Sequence, residues 1–288
     1  MSKYYDEIMS LIGADEFKAL IKKWDILSSN ITRFPREQPI LLPDLLCVGG
    51  SGVGKTKLIK LMSEYLYSKG NLVDFSGDGK FFEFLLSYVP KDAHFTELQR
   101  LEDELAMVKG FRHEYCGAVL IDIDAWFDHY KDRYFVSFME YLAAHSDHWM
   151  IILSVSEHSD DQLRELESFL SMYLRLERVT LSMPDAEGLY RYMADNLKGY
   201  GLTPDRDART LLLNTIQTLR DTPYFDGFKT IQLLCQEIAY QHFSSSNASR
   251  TTLSEQDVAS FASDSSYVKK TINNSAKKHK IGFARGEE

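Results

Sequence analysis

The sequence predicts an α/β chain: a five-stranded parallel sheet with helices on both faces, followed by a small C-terminal helical domain. Three observations predict it. Short apolar runs alternate with amphipathic stretches between residues 44 and 183, the pattern of a parallel sheet covered on both sides. A glycine-rich segment, residues 49–56, joins the first apolar run to a helical stretch. Beyond Met183-Pro184-Asp185 the helical periodicity continues without a convincing strand.

Residues 4–27 read as a helical lead-in, with Ile8, Leu11, Ile12, Phe17, Leu20, Ile21 and Trp24 at spacings of three to four. A linker carrying Pro35, Pro39 and Pro43 leads to the first strand, Leu45-Leu46-Cys47-Val48, and residues 57–67 follow the glycine-rich segment as a helix. Residues 71–75 read as a second strand, Ser76-Gly77-Asp78-Gly79 as a turn, and residues 80–88 and 95–109 as helices. Three further strands are expected at 118–123, 149–155 and 178–181, separated by helices around 132–144 and 160–174. The second domain reads as helices over 185–198, 205–219, 227–242 and 254–263. The expected division is a lead-in and linker (1–43), the sheet domain (44–183), a helical lid (184–263) and a flexible tail (264–288).

With 288 residues the chain has room for one large α/β domain and a smaller one. Hydrophobic content of 44% and charged content of 26% are those of a globular protein. A net charge of −9 argues against broad coating of nucleic acid, which requires a basic surface. No apolar run approaches the ~20 residues that span a bilayer, and Met1-Ser2-Lys3-Tyr4-Tyr5-Asp6 lacks a signal-peptide pattern. Cys47, Cys116 and Cys235 are odd in number and sit in apolar stretches. They read as core thiols of a cytoplasmic protein.

The segment Gly49-Gly50-Ser51-Gly52-Val53-Gly54-Lys55-Thr56 is a complete G-x-x-x-x-G-K-[ST] phosphate-binding loop, set between a strand and a helix as that chemistry demands. Its glycines let backbone N–H groups curl around a phosphate at a helix N-terminus. Lys55 supplies a positive charge to the β/γ-phosphates, and the Thr56 hydroxyl a ligand to Mg²⁺. The chain is therefore expected to bind a nucleoside triphosphate. Asp122 ends the apolar run Ala118-Val119-Leu120-Ile121 and is the expected magnesium-shell carboxylate. The following residue is Ile123, with a second acid at Asp124. If the strand persists, Asp122 and Asp124 share a face. Asp124 then reads as a water-activating base, a second metal-shell residue or a helix cap.

Ser154 and Ser156 are the polar candidates to read the γ-phosphate, or are loop serines. Arg175 and Arg178 are read as closing the helix before the last strand, where an arginine can reach a neighbouring subunit's γ-phosphate or is simply an exposed residue favoured at a helix end. Lys229 is either a nucleotide contact from the helical domain or a solvated lysine. His145, Asp147 and His148 have a metal-site composition but read better as a polar loop, and Phe81 and Phe82 as core rather than substrate-gripping aromatics. The basic residues of 269–285 read as a solvated tail.

In order and spacing these parts resemble the AAA+ ATPases, from about residue 12 to 260, and most closely their CbxX/CfqX branch. That branch contains stage V sporulation protein K-like proteins and red-type rubisco activases. Leu11-Ile12-Gly13 through Lys22 resembles its helical lead-in, residues 175–185 its arginine, strand and Pro-Asp junction, and Lys278-His-Lys280-Ile281-Gly282-Phe283 its sporulation-type tails. The resemblance implies that residues 49–56 are Walker A and Asp122 the Walker B aspartate. It further implies that Arg175, with Arg178 second, is the arginine finger and that Lys229 takes the sensor 2 position. Ile123 departs from the family's catalytic glutamate, Lys229 from its arginine, and the sensor 1 position from the usual Asn or Thr. A lysine contacts phosphate as a point charge without bidentate geometry.

What the resemblance implies is ATP and Mg²⁺ bound between subunits of a ring, commonly hexameric, that remodels a protein partner. Two alternatives stand beside it. One is a hydrolysis-impaired ATP-binding scaffold or regulatory subunit; the other is a DNA-linked ATPase of the helicase-loader or transposition-regulator type, which the acidic charge disfavours. The chain contains no N-K-x-D guanine-reading motif.

Overall fold

The computed structural model describes residues 2–31, 42–71, 81–85, 117–147, 149–223, 225–245 and 250–264, and these form two units. One comprises Met1–Gly50 and Gly54–Ser182; the other comprises Ser51–Val53 with Met183–Glu288. The turn at 76–79, the helix at 95–109, Cys116, His148 and the tail from 265 lie outside the described residues.

The first unit is α/β, with a parallel sheet flanked by helices. Its strands are β1 (Asp44–Val48), β2 (Phe81–Leu85), β3 (Gly117–Asp122), β4 (Trp149–Val155) and β5 (Leu176–Thr180). They lie in the order β2-β3-β4-β1-β5, every neighbouring pair parallel. Strands β1 and β4 are buried along their whole length, which explains why both are apolar apart from Asp44 and Ser154. Leu46, Val48, Val119, Ile121, Ile151, Leu153 and Val155 form one face of the sheet. They pack with Trp126 and Phe127 and with the apolar stripes of α4 (Arg133–His145) and α5 (Asp160–Leu170).

The lead-in comprises α1 (Lys3–Ser10) and α2 (Asp15–Ile31). Gly13 (φ 73°) and Ala14 (φ 57°) interrupt it, because two successive left-handed residues cannot continue a right-handed helix. Ile8, Phe17, Leu20, Ile21 and Trp24 are buried, as are Leu58, Ile59, Met62 and Leu66 of α3 (Lys55–Ser68).

One expectation fails over 81–85. The sequence reads as a helix there, but the segment is β2, paired with β3 from Phe81↔Ala118 to Leu85↔Asp122. Phe-Phe-Glu-Phe-Leu has no polar face for a surface helix, and its aromatic content suits a strand. Pairing to a buried neighbour decides the matter. The strand expected at 71–75 falls outside the described residues beyond Asn71, which is not in a strand.

The second unit contains α6 (Ala186–Gly199), α7 (Arg206–Arg220), α8 (Gly227–Ser244) and α9 (Glu255–Asp264). Asp185 caps α6 through Gly188 N–H (2.7 Å), and Asp205 caps α7 through the N–H groups of Asp207 and Ala208. Leu189, Met193, Leu197, Leu212, Ile216, Ile231, Leu234, Ile238 and Val258 form its core. The sequence reading missed a two-residue parallel pair, β6 (Thr203–Pro204) with β7 (Thr252–Leu253). Strands this short carry no periodicity to read.

Candidate nucleotide site

The phosphate loop leaves the C-terminal end of β1. Gly49 N–H donates to Val155 O (2.9 Å), tying the start of the loop to the end of β4. Gly54 caps α3 with φ 90°, a conformation glycine adopts without cost. Lys55 and Thr56 thus open the helix, where N–H groups and the helix dipole favour an anion. Lys55 Nζ donates to Gly49 O at 2.7 Å, holding the ammonium against the loop.

Alternation along the strands assembles the polar side chains on the sheet face opposite Val48, Ile121 and Val155. Asp122 at the tip of β3 lies opposite Ser154 of β4, and Ser154 lies opposite Cys47 of β1. The Ser154 side chain is buried. Burial raises the Asp122 carboxyl above the usual range; Asp124 N–H and Lys55 oppose this, while the charges of Asp124 and Glu83 reinforce it. Glu83 of β2 is the residue the sequence reading missed: its Oε1 accepts the Thr56 hydroxyl proton at 2.6 Å. A single acid inside Phe-Phe-Glu-Phe-Leu was the available signal, and the helical reading of 80–88 concealed it.

Asp124 does not share a strand face with Asp122. Strand β3 ends at Asp122, Ile123 turns at φ −113°, ψ 11°, and Asp124 begins the 3-10 turn Asp124–His129. Asp124 N–H donates to Asp122 Oδ1 at 3.0 Å. The two carboxylate oxygens of Asp124 accept from the backbone N–H and the hydroxyl of Ser156. Asp124 therefore joins the ends of β3 and β4. Ile123 is fully buried in the core.

The two arginines separate. Arg175 precedes β5, and its carbonyl accepts from Asp44 N–H (2.9 Å), so it lies at the N-terminal edge of the sheet, opposite the phosphate loop. Its charge helps stabilise the buried Asp44 carboxylate, whose Oδ1 accepts from Ile151 N–H (2.8 Å). Arg178, within β5, is held by Asp160 (3.2 Å) and Glu167 (3.6 Å) of α5.

Within the second unit, Lys229 lies 3.5 Å from Asp226 and is largely exposed. The loop tip belongs to the same unit: Ser51 Oγ donates to Asp226 Oδ1 (2.6 Å) and Phe228 N–H to Gly52 O (3.0 Å). Gly52 has φ 71°, and a Cβ there would lie 2.2 Å from Asp226 O. Only glycine fits. His145 Nδ1 lies 2.9 Å from Tyr141 O, and among the described residues no three His, Cys, Asp or Glu side chains converge as a metal cage. Phe81 lies in β2, and the Phe82 side chain lies outside the described residues.

The chain matches no protein-family model, and no match is found among curated proteins.

Proposed function

We propose that this chain is an AAA+ ATP-binding protein, an ATPase subunit of an oligomeric ring, commonly hexameric, that remodels a protein partner. The observation that carries the reading is that the loop after β1 sets Lys55 and Thr56 at the start of α3, where Thr56 is hydrogen-bonded to Glu83, which shares a sheet face with Asp122 and Ser154. In this reading the sheet is the five-stranded ATPase core and residues 184–263 are its lid.

The donor set fits Mg²⁺. A hydroxyl and carboxylates are hard oxygen ligands, and Mg²⁺ is ordinarily held by one or two carboxylates together with nucleotide phosphates rather than by a complete protein cage. Thr56 would ligate the cation directly and Asp122 through water; bound there, Mg²⁺ neutralises charge on the β/γ-phosphates. The loop N–H groups and Lys55 would bind and orient the triphosphate, and Ser154 would read its γ-phosphate. Arg175, at the far edge of its own sheet, acts on the nucleotide of a neighbouring subunit. Free, buried Cys47 and Cys235 accord with a reducing cytoplasm. No described helix is long and apolar enough to cross a membrane.

A second reading is a hydrolysis-impaired scaffold or regulatory subunit of such a ring. The apolar, buried Ile123 and the engagement of both Asp124 oxygens by Ser156 favour it. Steady-state ATPase rate and particle size, measured together across protein concentration, separate the two. A rate that rises with assembly supports the remodeller; ATP-dependent assembly with negligible turnover supports the scaffold. Failure to bind ATP removes both.

A further inference from the structure

We propose that Glu83 is the positioning residue for the divalent cation: it accepts the hydrogen bond of the Thr56 hydroxyl and so aims the Thr56 oxygen at the metal. The inference rests on the phosphate-site reading above and goes beyond it, since neither the loop motif nor Asp122 implies an acid on β2.

Three observations lead to it. The Thr56 Oγ1–Glu83 Oε1 separation of 2.6 Å is that of a charge-assisted hydrogen bond. Glu83 pairs with Leu120 in parallel register, two residues before Asp122, so Glu83 and Asp122 stand on the same face of adjacent strands. Neither residue after Asp122 supplies the same service, since Ile123 is apolar and buried and both Asp124 oxygens are committed to Ser156.

The chemistry follows from the hydroxyl. A threonine that ligates a cation through oxygen must still direct its proton to an acceptor. A carboxylate acceptor fixes that rotor, leaves the lone pairs to the metal and makes the oxygen a better donor, as outer-shell carboxylates do for ligands generally. Glu83 also adds negative charge on the sheet face that carries Asp122. The favoured ligand is therefore a hard divalent cation arriving with a nucleoside triphosphate. Triphosphate without the cation gains nothing from Glu83.

The test is ATP binding by the full chain, titrated with magnesium and repeated in EDTA, for wild type, Glu83→Gln and Glu83→Ala. For Glu83→Ala the magnesium needed for half-maximal enhancement is expected to rise about 10–100-fold, with ATP affinity in EDTA equal to or tighter than wild type. Glu83→Gln keeps an acceptor for Thr56 but loses the charge, so it should fall between the two. Should Glu83→Ala fail to fold, the isosteric Glu83→Gln decides alone, by a weakened magnesium response with unchanged binding in EDTA. An unaltered magnesium titration overturns the inference, as does an equal loss in magnesium and EDTA. No ATP binding by wild type in either condition overturns the phosphate-site reading and this inference with it.

Discussion

Lys55 contributes the one fixed positive charge of the loop, and its 2.7 Å bond to Gly49 O keeps it in place. Lys55→Ala is expected to weaken ATP binding at least tenfold, since a hydrogen bond to a charged group is worth about 1.5–3 kcal/mol; equilibrium titration checks it. Asp124→Ala strands the Ser156 N–H and hydroxyl, so urea denaturation should show a loss of about 1–3 kcal/mol. A stability like wild type with an abolished ATPase would instead make Asp124 the base. Asp44 supplies a pH dependence. Burial raises its carboxyl to about 7 from an ordinary 3.8, against the pull of Ile151 N–H and Arg175 and with a push from Asp147. The folded state therefore holds a proton that the unfolded chain releases between about pH 4 and 7. This group's contribution is greatest at the acid end and declines as pH rises through about 7, by a few kcal/mol at most. Asp44→Asn should remove that slope, so denaturation at about pH 5 and 8 should show the variant gaining on wild type at the higher pH.

At the scale of the element, local signals and tertiary pairing part company. Helix α5 begins where the sequence predicts a helix, at Asp160, but ends at Leu170 rather than 174; at its start Ser159 accepts from Gln162 N–H (3.4 Å) and Gln162 Oε1 from Ser159 N–H (3.3 Å), a reciprocal cap. Ser159→Ala is expected to cost about 1 kcal/mol, read from a denaturant midpoint. Strand β2 was not legible, because five mostly apolar residues suit helix or strand until a partner strand is present. Glu83 was lost with it. The arginines illustrate the same limit. Arg178 is bound to Asp160 and Glu167, so Arg178→Ala should lower the melting temperature without altering nucleotide affinity. Arg175→Ala, in the ring reading, should leave ATP affinity intact and lower turnover of the assembled protein, a split visible in parallel binding and rate measurements.

For the whole molecule, local sequence was enough for the α/β class, for the strand–turn–helix setting of residues 49–56 and for Asp122 at the end of a strand, because each depends on residues near one another along the chain. Glycines, a lysine and a threonine at fixed spacing need no distant partner to be recognised, and an acid ending a buried strand announces itself by contrast. Long-range pairing alone sets which strand lies beside which, that β2 runs through Phe81–Leu85, and that Glu83 meets Thr56 across 27 positions of sequence. It also decided that Asp124 is committed to Ser156, 32 residues away, and that Arg175 stands at the opposite end of the sheet from the loop. The physical reason is common to all of these: hydrogen bonds between strands and the carboxylates they align depend on register, and register is set by pairing that no local window contains.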